Sequence, residues 1–168
     1  MDEALCLIEP DSVVWWEAAA AILQEYADSL GVDLSFQGFD AELRALSAHY
    51  AVPRARLLLA LVDGEVAGCG AFVPRDDVDY ANACEMKRLY VRRPFRRFGL
   101  GRRLAQRLMS DAFQEGYSTM LLDTLDDMES ARELYASLGF VDVPPYYFNP
   151  LPGARYLKAE LLVAQGCH

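Results

Sequence analysis

The chain has 168 residues, 53% of them apolar and 24% charged, which is the composition of a folded globular protein rather than a disordered one. Its strongest apolar runs, Ala18 to Leu23 and Leu57 to Val62, fall far short of the ~20 residues of a membrane-spanning helix. No basic segment precedes an apolar one at the start, so neither a membrane partner nor a secretory leader is expected. A formal net charge of -9 argues against a nucleic-acid partner. Four scattered cysteines (Cys6, Cys69, Cys84 and Cys167) suit free thiols in a reducing, cytoplasmic setting. With only His49 and His168 as histidines, no metal site and no His-dependent nucleophile is expected.

Leu5 to Glu9 reads as a short strand stopped by Pro10, followed by a helix from Asp11 or Ser12 to Leu30 with Gly31 at its end. Asp40 to Tyr50 reads as a second helix, with Asp40 as N-cap and Pro53 beyond its end. Arg56 to Val62 and Glu65 to Val73 form a hairpin, because Asp63-Gly64 supplies the positive φ angles of a two-residue turn. Pro74 to Asp79 is loop and Ala83 to Val91 a strand, stopped by Pro94. A helix then runs from Gly99 to Glu115 on the spacing of Leu100, Leu104, Leu108 and Ala112, with Gly116 closing it. Ser118 to Asp123 is a buried strand, and Asp126 with Glu129 opens a helix through Leu138 to Gly139. A proline-bounded aromatic loop, Pro144 to Gly153, leads into a last strand, Arg155 to Val163. Residues 1–168 thus read as a single mixed α/β domain.

Charge is badly mixed along this order. Nine basic residues lie between Lys87 and Arg107 with no acidic residue among them, while the rest of the chain carries 7 basic against 25 acidic groups. Such a run is ordinarily the solvated face of a helix. Here it straddles a strand-to-helix junction, Arg96-Arg97-Phe98-Gly99-Leu100-Gly101-Arg102-Arg103. A helix N-terminus presents unpaired amides and about half a positive charge, so it favours Ser, Thr, Asp or Asn caps and acidic first turns. This one has no capping side chain, two arginines in its first turn and two glycines that clear the loop. A bound phosphate removes the conflict by capping the amides and pairing with the arginines. The Walker pattern does not fit, because Gly101 is followed by Arg102-Arg103, and the dinucleotide pattern lacks its third glycine at Leu104.

Arg-x-x-Gly-x-Gly at 96 to 101, directly after Leu89-Tyr90-Val91, resembles the acetyl-coenzyme A motif of the GNAT (GCN5-related) N-acetyltransferases. A second segment, the strand Met120 to Asp123 followed by Ala131-Arg132-Glu133-Leu134-Tyr135 and Leu138-Gly139-Phe140, resembles the same family. The proline-rich aromatic loop resembles a bacterial subgroup of it. The resemblance implies an α/β fold with a central, mostly antiparallel twisted sheet flanked by helices on both faces. It implies acetyl-CoA as cosubstrate, with the pyrophosphate on the amides of Arg97, Phe98, Gly99, Leu100, Gly101 and Arg102, and Arg96 also among the cofactor-binding residues. The pantetheine arm would lie along Leu89, Tyr90 and Val91, and the Leu89 amide would steady the oxyanion. Glu85 falls where several members carry a catalytic base, and Tyr135 where many carry the acid that protonates the thiolate. Met128 stands where the family often has an asparagine against the pantetheine.

Rival readings stay open at several residues. Glu85 is as well placed to pair with Lys87, two positions along the strand, and Tyr135 sits on an apolar stripe with Leu134 and Leu138. Tyr146, Tyr147, Phe148 and Asn149 either wall a substrate cleft or merely cover the sheet. Gln37, Arg44 and Arg88 are candidate handles for an acceptor carboxylate, whereas Trp15 and Trp16 read as core. The expected activity is acetyl transfer to a small-molecule or amino-acid-like amine. A protein or peptide amine and a non-catalytic acyl-CoA sensor are the alternatives, and a homodimer is an open assembly.

Overall fold

The computed structural model describes residues 4–31, 33–125 and 129–161. Strands β1 (Leu5–Ile8), β2 (Arg56–Val62), β3 (Glu65–Pro74), β4 (Ala83–Val91), β5 (Thr119–Leu125), β6 (Val141–Val143) and β7 (Ala154–Glu160) form one sheet. Its order is β1-β2-β3-β4-β5-β7-β6. Every neighbouring pair is antiparallel except β4 with β5. Helices α1 (Val13–Leu30), α2 (Phe39–Arg44), α3 (Leu46–His49), α4 (Leu100–Gln114) and α5 (Glu129–Ser137) complete the described elements.

Both faces of the sheet are covered, and β2 shows why its sequence carries no alternation. Leu58, Ala60 and Val62 face a core built with Leu104 and Leu108 of α4, while Leu57, Leu59 and Leu61 face Ile22 and Leu23 of α1. A strand buried on both sides is apolar throughout. Asp63 (φ 52°) and Gly64 (φ 83°) form the expected tight turn into β3.

Two departures shape the site. The parallel pairing of β4 with β5 covers only Ala83, Cys84 and Glu85, so among the described residues β4 from Met86 to Val91 has no strand on that side. Opposite β3 the register slips, with Ala71 facing Lys87 but Cys69 facing Tyr90. The extra residue is taken up at Arg88, whose φ is 62°. Gly70 lies against this bulge, where a Cβ would come within 3.0 Å of Leu108 Cδ1 and 3.2 Å of Leu89 Cδ1. A bulge bends its strand and turns two successive side chains to one face.

Some sequence expectations shift. The helix foreseen from Asp40 to Tyr50 is two short ones, α2 and α3, broken at Ala45 (φ -142°, ψ 49°). Asp40 is not the N-cap: Gly38, at φ 70°, starts α2 earlier and leaves Asp40 in the first turn, where a negative charge also suits the helix dipole. The foreseen strand from Ser118 runs Thr119–Leu125. Strand β6 was not foreseen, since its three residues are short of a pattern and its first two are exposed. Asp126, Met128, Val163, Cys167 and His168 lie outside the described residues, and with them the capping box and the asparagine departure.

Candidate active site

After β4, Arg93–Phe98 form a 3-10 turn, and Gly99 (φ 69°) opens α4 with no side chain capping it. The first amide to reach a helical carbonyl is that of Arg103, 3.2 Å from the Gly99 oxygen. Those of Leu100, Gly101 and Arg102 precede it and have no helical acceptor. A Cβ on Gly101 would make only ordinary contacts, 3.5 Å from Leu134 Cδ2, so the protein's own packing does not require glycine there. Leu100 turns its side chain into the core and offers the site its backbone alone.

The basic run divides into two groups. Arg88 is forked onto Glu42, Arg92 bonds Glu25 at 3.1 Å and the Val66 carbonyl at 2.8 Å, and Arg107 bonds Asp111 at 3.0 Å. By contrast, Arg96 donates to the Val91 carbonyl (2.8 Å) and Arg102 to the Ser137 hydroxyl (2.6 Å), neither of them an anion. The arginines bonded to neutral groups, Arg96 and Arg102, therefore flank the start of α4. That is the place where the helix dipole makes them costliest without a ligand.

A cavity of about 910 Å³ begins at this turn and runs along the open side of β4. Gly99, Gly101, Arg96 and Arg102 line one end; Glu85, Lys87, Gln37 and Asp123 line the other; Leu89, Tyr90 and Val91 lie between, with Leu134 and Tyr135 of α5 also lining it. Phe98 does not line it, and Arg44, a candidate carboxylate handle, is exposed elsewhere. The bulge decides which backbone groups face this space. Ala83 accepts from Arg75 on the β3 side and Arg92 donates to Ala67 on that same side. Strand alternation assigns positions 83, 85 and 87 to β3 before the bulge and 90 and 92 after it. The amides of Leu89 and Val91 are consequently turned toward the gap between β4 and β5.

Glu85 is buried beside this gap and accepts a hydrogen bond from Tyr146 Oη at 2.7 Å, with Arg75 Nη1 at 3.9 Å. Burial pushes its carboxyl above the ordinary glutamate range, and the Tyr146 hydroxyl opposes that rise. Lys87 is not its ion-pair partner; the carboxylate nearest the ammonium is Glu42, at 3.6 Å. Tyr135 is buried with its ring edge-on to Phe140, and its hydroxyl has no hydrogen-bond partner among the described residues. Burial also pushes its phenol well above the usual tyrosine range, which keeps it protonated.

The aromatic loop turns inward. Tyr147 Oη bonds Asp123, Asn149 Nδ2 bonds the same carboxylate at 2.8 Å, and the Arg75 guanidinium lies 5.2 and 5.3 Å from the Tyr146 and Tyr147 rings. Phe148 points out to solvent. Of the carboxylate handles considered from sequence, Gln37 and Arg88 do line the cavity, but Arg88 is already committed. Its Nε and Nη2 bond Glu42 at 3.1 and 2.9 Å, and its Nη1 bonds Gln37 Oε1 at 2.6 Å.

Sequence reasoning missed Glu42 altogether. It is buried and accepts from Arg88 and from Tyr50 Oη (2.5 Å). Burial alone would raise its pKa, but the Arg88 hydrogen bonds and charge, then Lys87, overcome that and hold it at about 2. Both cations reach one carboxylate because the bulge sends Lys87 and Arg88 to the same face.

The profile of the acetyltransferase (GNAT) family matches residues 17–140. An uncharacterized N-acetyltransferase of Schizosaccharomyces pombe is 40% identical over 141 residues, covering 83% of this chain and 85% of the relative. Among solved structures, a GNAT-family acetyltransferase of Staphylococcus aureus superposes with a TM-score of 0.76 at 18% identity, covering 95% of this chain and all of the other. A putative acetyltransferase of Salmonella typhimurium, solved with its cofactor acetyl-CoA, superposes with a TM-score of 0.68 at 21% identity, covering 95% of each chain.

Proposed function

Because the chain belongs to the acetyltransferase (GNAT) family and is an acetyl-CoA-dependent N-acetyltransferase, we propose that it acetylates the primary amine of a small acceptor inside this cavity. The observation that carries this reading is continuity. One cavity joins uncapped helix amides among arginines, a bulged and unpaired strand edge, and a buried carboxylate.

The residues fit the donor at each of these points. The amides at Gly99 to Arg102, with Arg96 and Arg102 beside them, suit a pyrophosphate. The backbone of Leu89, Tyr90 and Val91 is free to pair with the pantetheine amides as an added strand would. Acetyl-CoA supplies an already activated acyl group, so no side-chain nucleophile is called for.

Glu85, in its deprotonated form, takes a proton from the acceptor ammonium, directly or through one water. The freed amine nitrogen forms a bond to the thioester carbonyl carbon, and the Leu89 amide donates to the oxygen on which charge develops. As the carbon–sulfur bond breaks, Tyr135 gives its proton to the departing sulfur; the acylated nitrogen loses its second proton to solvent, the Tyr135 phenolate takes one back, and Glu85 passes on the one it accepted. The products are the N-acetyl amide and free coenzyme A, with one net proton released.

Titration calorimetry with acetyl-CoA is expected to show micromolar binding. Release of free thiol on adding amines is expected to separate a working transferase from a domain that only holds the donor. Tight donor binding with no thiol release across free amines and peptides would overturn the catalytic reading.

A further inference from the structure

Resting on that reading, we propose that the acceptor bears a carboxylate beside its amine, as an amino acid does, and that Lys87 is the residue that holds it. Lys87 lines the cavity with its side chain mostly buried, yet its ammonium donates no hydrogen bond among the described residues. Glu42 Oε1, its nearest carboxylate oxygen, is 3.6 Å away, beyond hydrogen-bond range. That carboxylate already accepts three hydrogen bonds. Its Oε2 accepts from Tyr50 Oη at 2.5 Å and Arg88 Nε at 3.1 Å, and its Oε1 accepts from Arg88 Nη2 at 2.9 Å. Lys87 therefore keeps three donors for the cavity.

The neighbours say what sign of ligand fits. Burial, and after it the charge of Arg88, pushes the Lys87 ammonium down, so an anion at this point would keep it charged. The lining near Lys87 also holds two carboxylates, Glu85 and Asp123, which suit an ammonium. Glu85 and Lys87 are two residues apart on one strand, so their Cα atoms lie about 6.6 Å apart. An amino acid, whose opposite charges are two bonds apart, spans that gap with its nitrogen toward Glu85 and its carboxylate toward Lys87. A simple alkylamine would leave the Lys87 ammonium with no hydrogen-bond acceptor, Glu42 being 3.6 Å away, and a polyamine would add a second cation against it.

The test compares α- and β-amino acids with their carboxamides and with the matching decarboxylated amines, in wild type, Lys87→Met and Lys87→Arg. Thiol release is one readout. The other is calorimetric binding of the same compounds in the dead-end complex with desulfo-coenzyme A. In wild type the best amino acid is expected to exceed its carboxamide roughly ten- to a hundredfold in kcat/KM, the ratio a charge-assisted hydrogen bond sustains. In Lys87→Met that ratio and the matching affinity ratio fall to about one, mostly through KM, and Lys87→Arg restores part of both. Carboxamides accepted as well as amino acids, or a preference that survives Lys87→Met, would overturn the assignment. So would an equal fall in kcat for every acceptor, which would place Lys87 in proton transfer instead. Acetyl-CoA binding with turnover of amines but of no amino acid refutes the carboxylate alone, whereas no acetyl-CoA binding removes the functional reading as well.

Discussion

Glu42→Gln is expected to cost the fold about 3 kcal/mol at pH 7, although residue 42 stands apart from the thioester path. The Glu42 and Arg88 side chains are 1% and 3% exposed, so water cannot take over for a missing partner. Holding Glu42 at about 2 rather than its ordinary 4.5 corresponds to about 3 kcal/mol at ~1.4 kcal/mol per pH unit. That agrees in size with the roughly 3–5 kcal/mol lost on breaking a buried ion pair from one side. Because the folded-state pKa is the lower one, this stabilisation is complete above the unfolded value of 4.5 and fades as pH falls toward 2. Urea unfolding of wild type and Glu42→Gln between pH 7 and pH 3 should therefore show a gap that is widest at neutrality and narrows below about pH 4.5. In a thermal scan at pH 7 the gap should be about 6–12 °C for a chain of this size. Glu42→Leu with Arg88→Met should recover part of the loss, because an apolar pair leaves no charge stranded. A neutral-pH loss under about 1 kcal/mol, the value of an exposed pair, or a gap independent of pH, would refute the reasoning.

Gly99→Glu should abolish acetyl-CoA binding in calorimetry, since it brings a carboxylate to the phosphate turn; with φ at 69° it should also cost about 1–2 kcal/mol in urea unfolding. Glu85→Gln should remove the acidic limb of the kcat/KM profile, a limb expected above the ordinary glutamate range because burial raises this carboxyl. Tyr146→Phe deletes the hydrogen bond that lowers the Glu85 pKa, so the same limb should move to higher pH, and an unmoved limb would separate Glu85 from the mechanism. Tyr135→Phe should lower kcat at least tenfold while leaving the calorimetric affinity for acetyl-CoA within about twofold, as expected of a proton donor that contributes in the transition state.

The proposed donor half of the site can be argued from sequence because it is local. Strand, proline, Gly-x-Gly and uncapped helix occupy adjacent positions, and the misfit of arginines against the helix dipole is visible without any tertiary contact. The acceptor half is assembled across the chain. Arg88 meets Gln37 and Glu42 from 51 and 46 positions away, and Tyr146 reaches Glu85 across 61. No periodicity marks such pairings. In sequence Glu42 looks like any acid on a short helix, and Lys87 looks like the partner of Glu85 because flat-strand spacing puts positions i and i+2 together.

The bulge accounts for the Arg88 contact with Glu42 that sequence spacing does not show, and it ties the two halves into one object. An arginine at positive φ costs about 1 kcal/mol or more, and here the fork onto Glu42 holds it there. The same extra residue that turns the Leu89 amide toward the gap also swings Lys87 and Arg88 onto one face. The group proposed to steady charge at the thioester and the group proposed to hold the acceptor's carboxylate are thus set by a single backbone irregularity. A change at Glu42 that loosens Arg88 should consequently weaken acceptor recognition and slow acetyl transfer together, while the turn at Gly99, fixed by its own local geometry, goes on binding the donor.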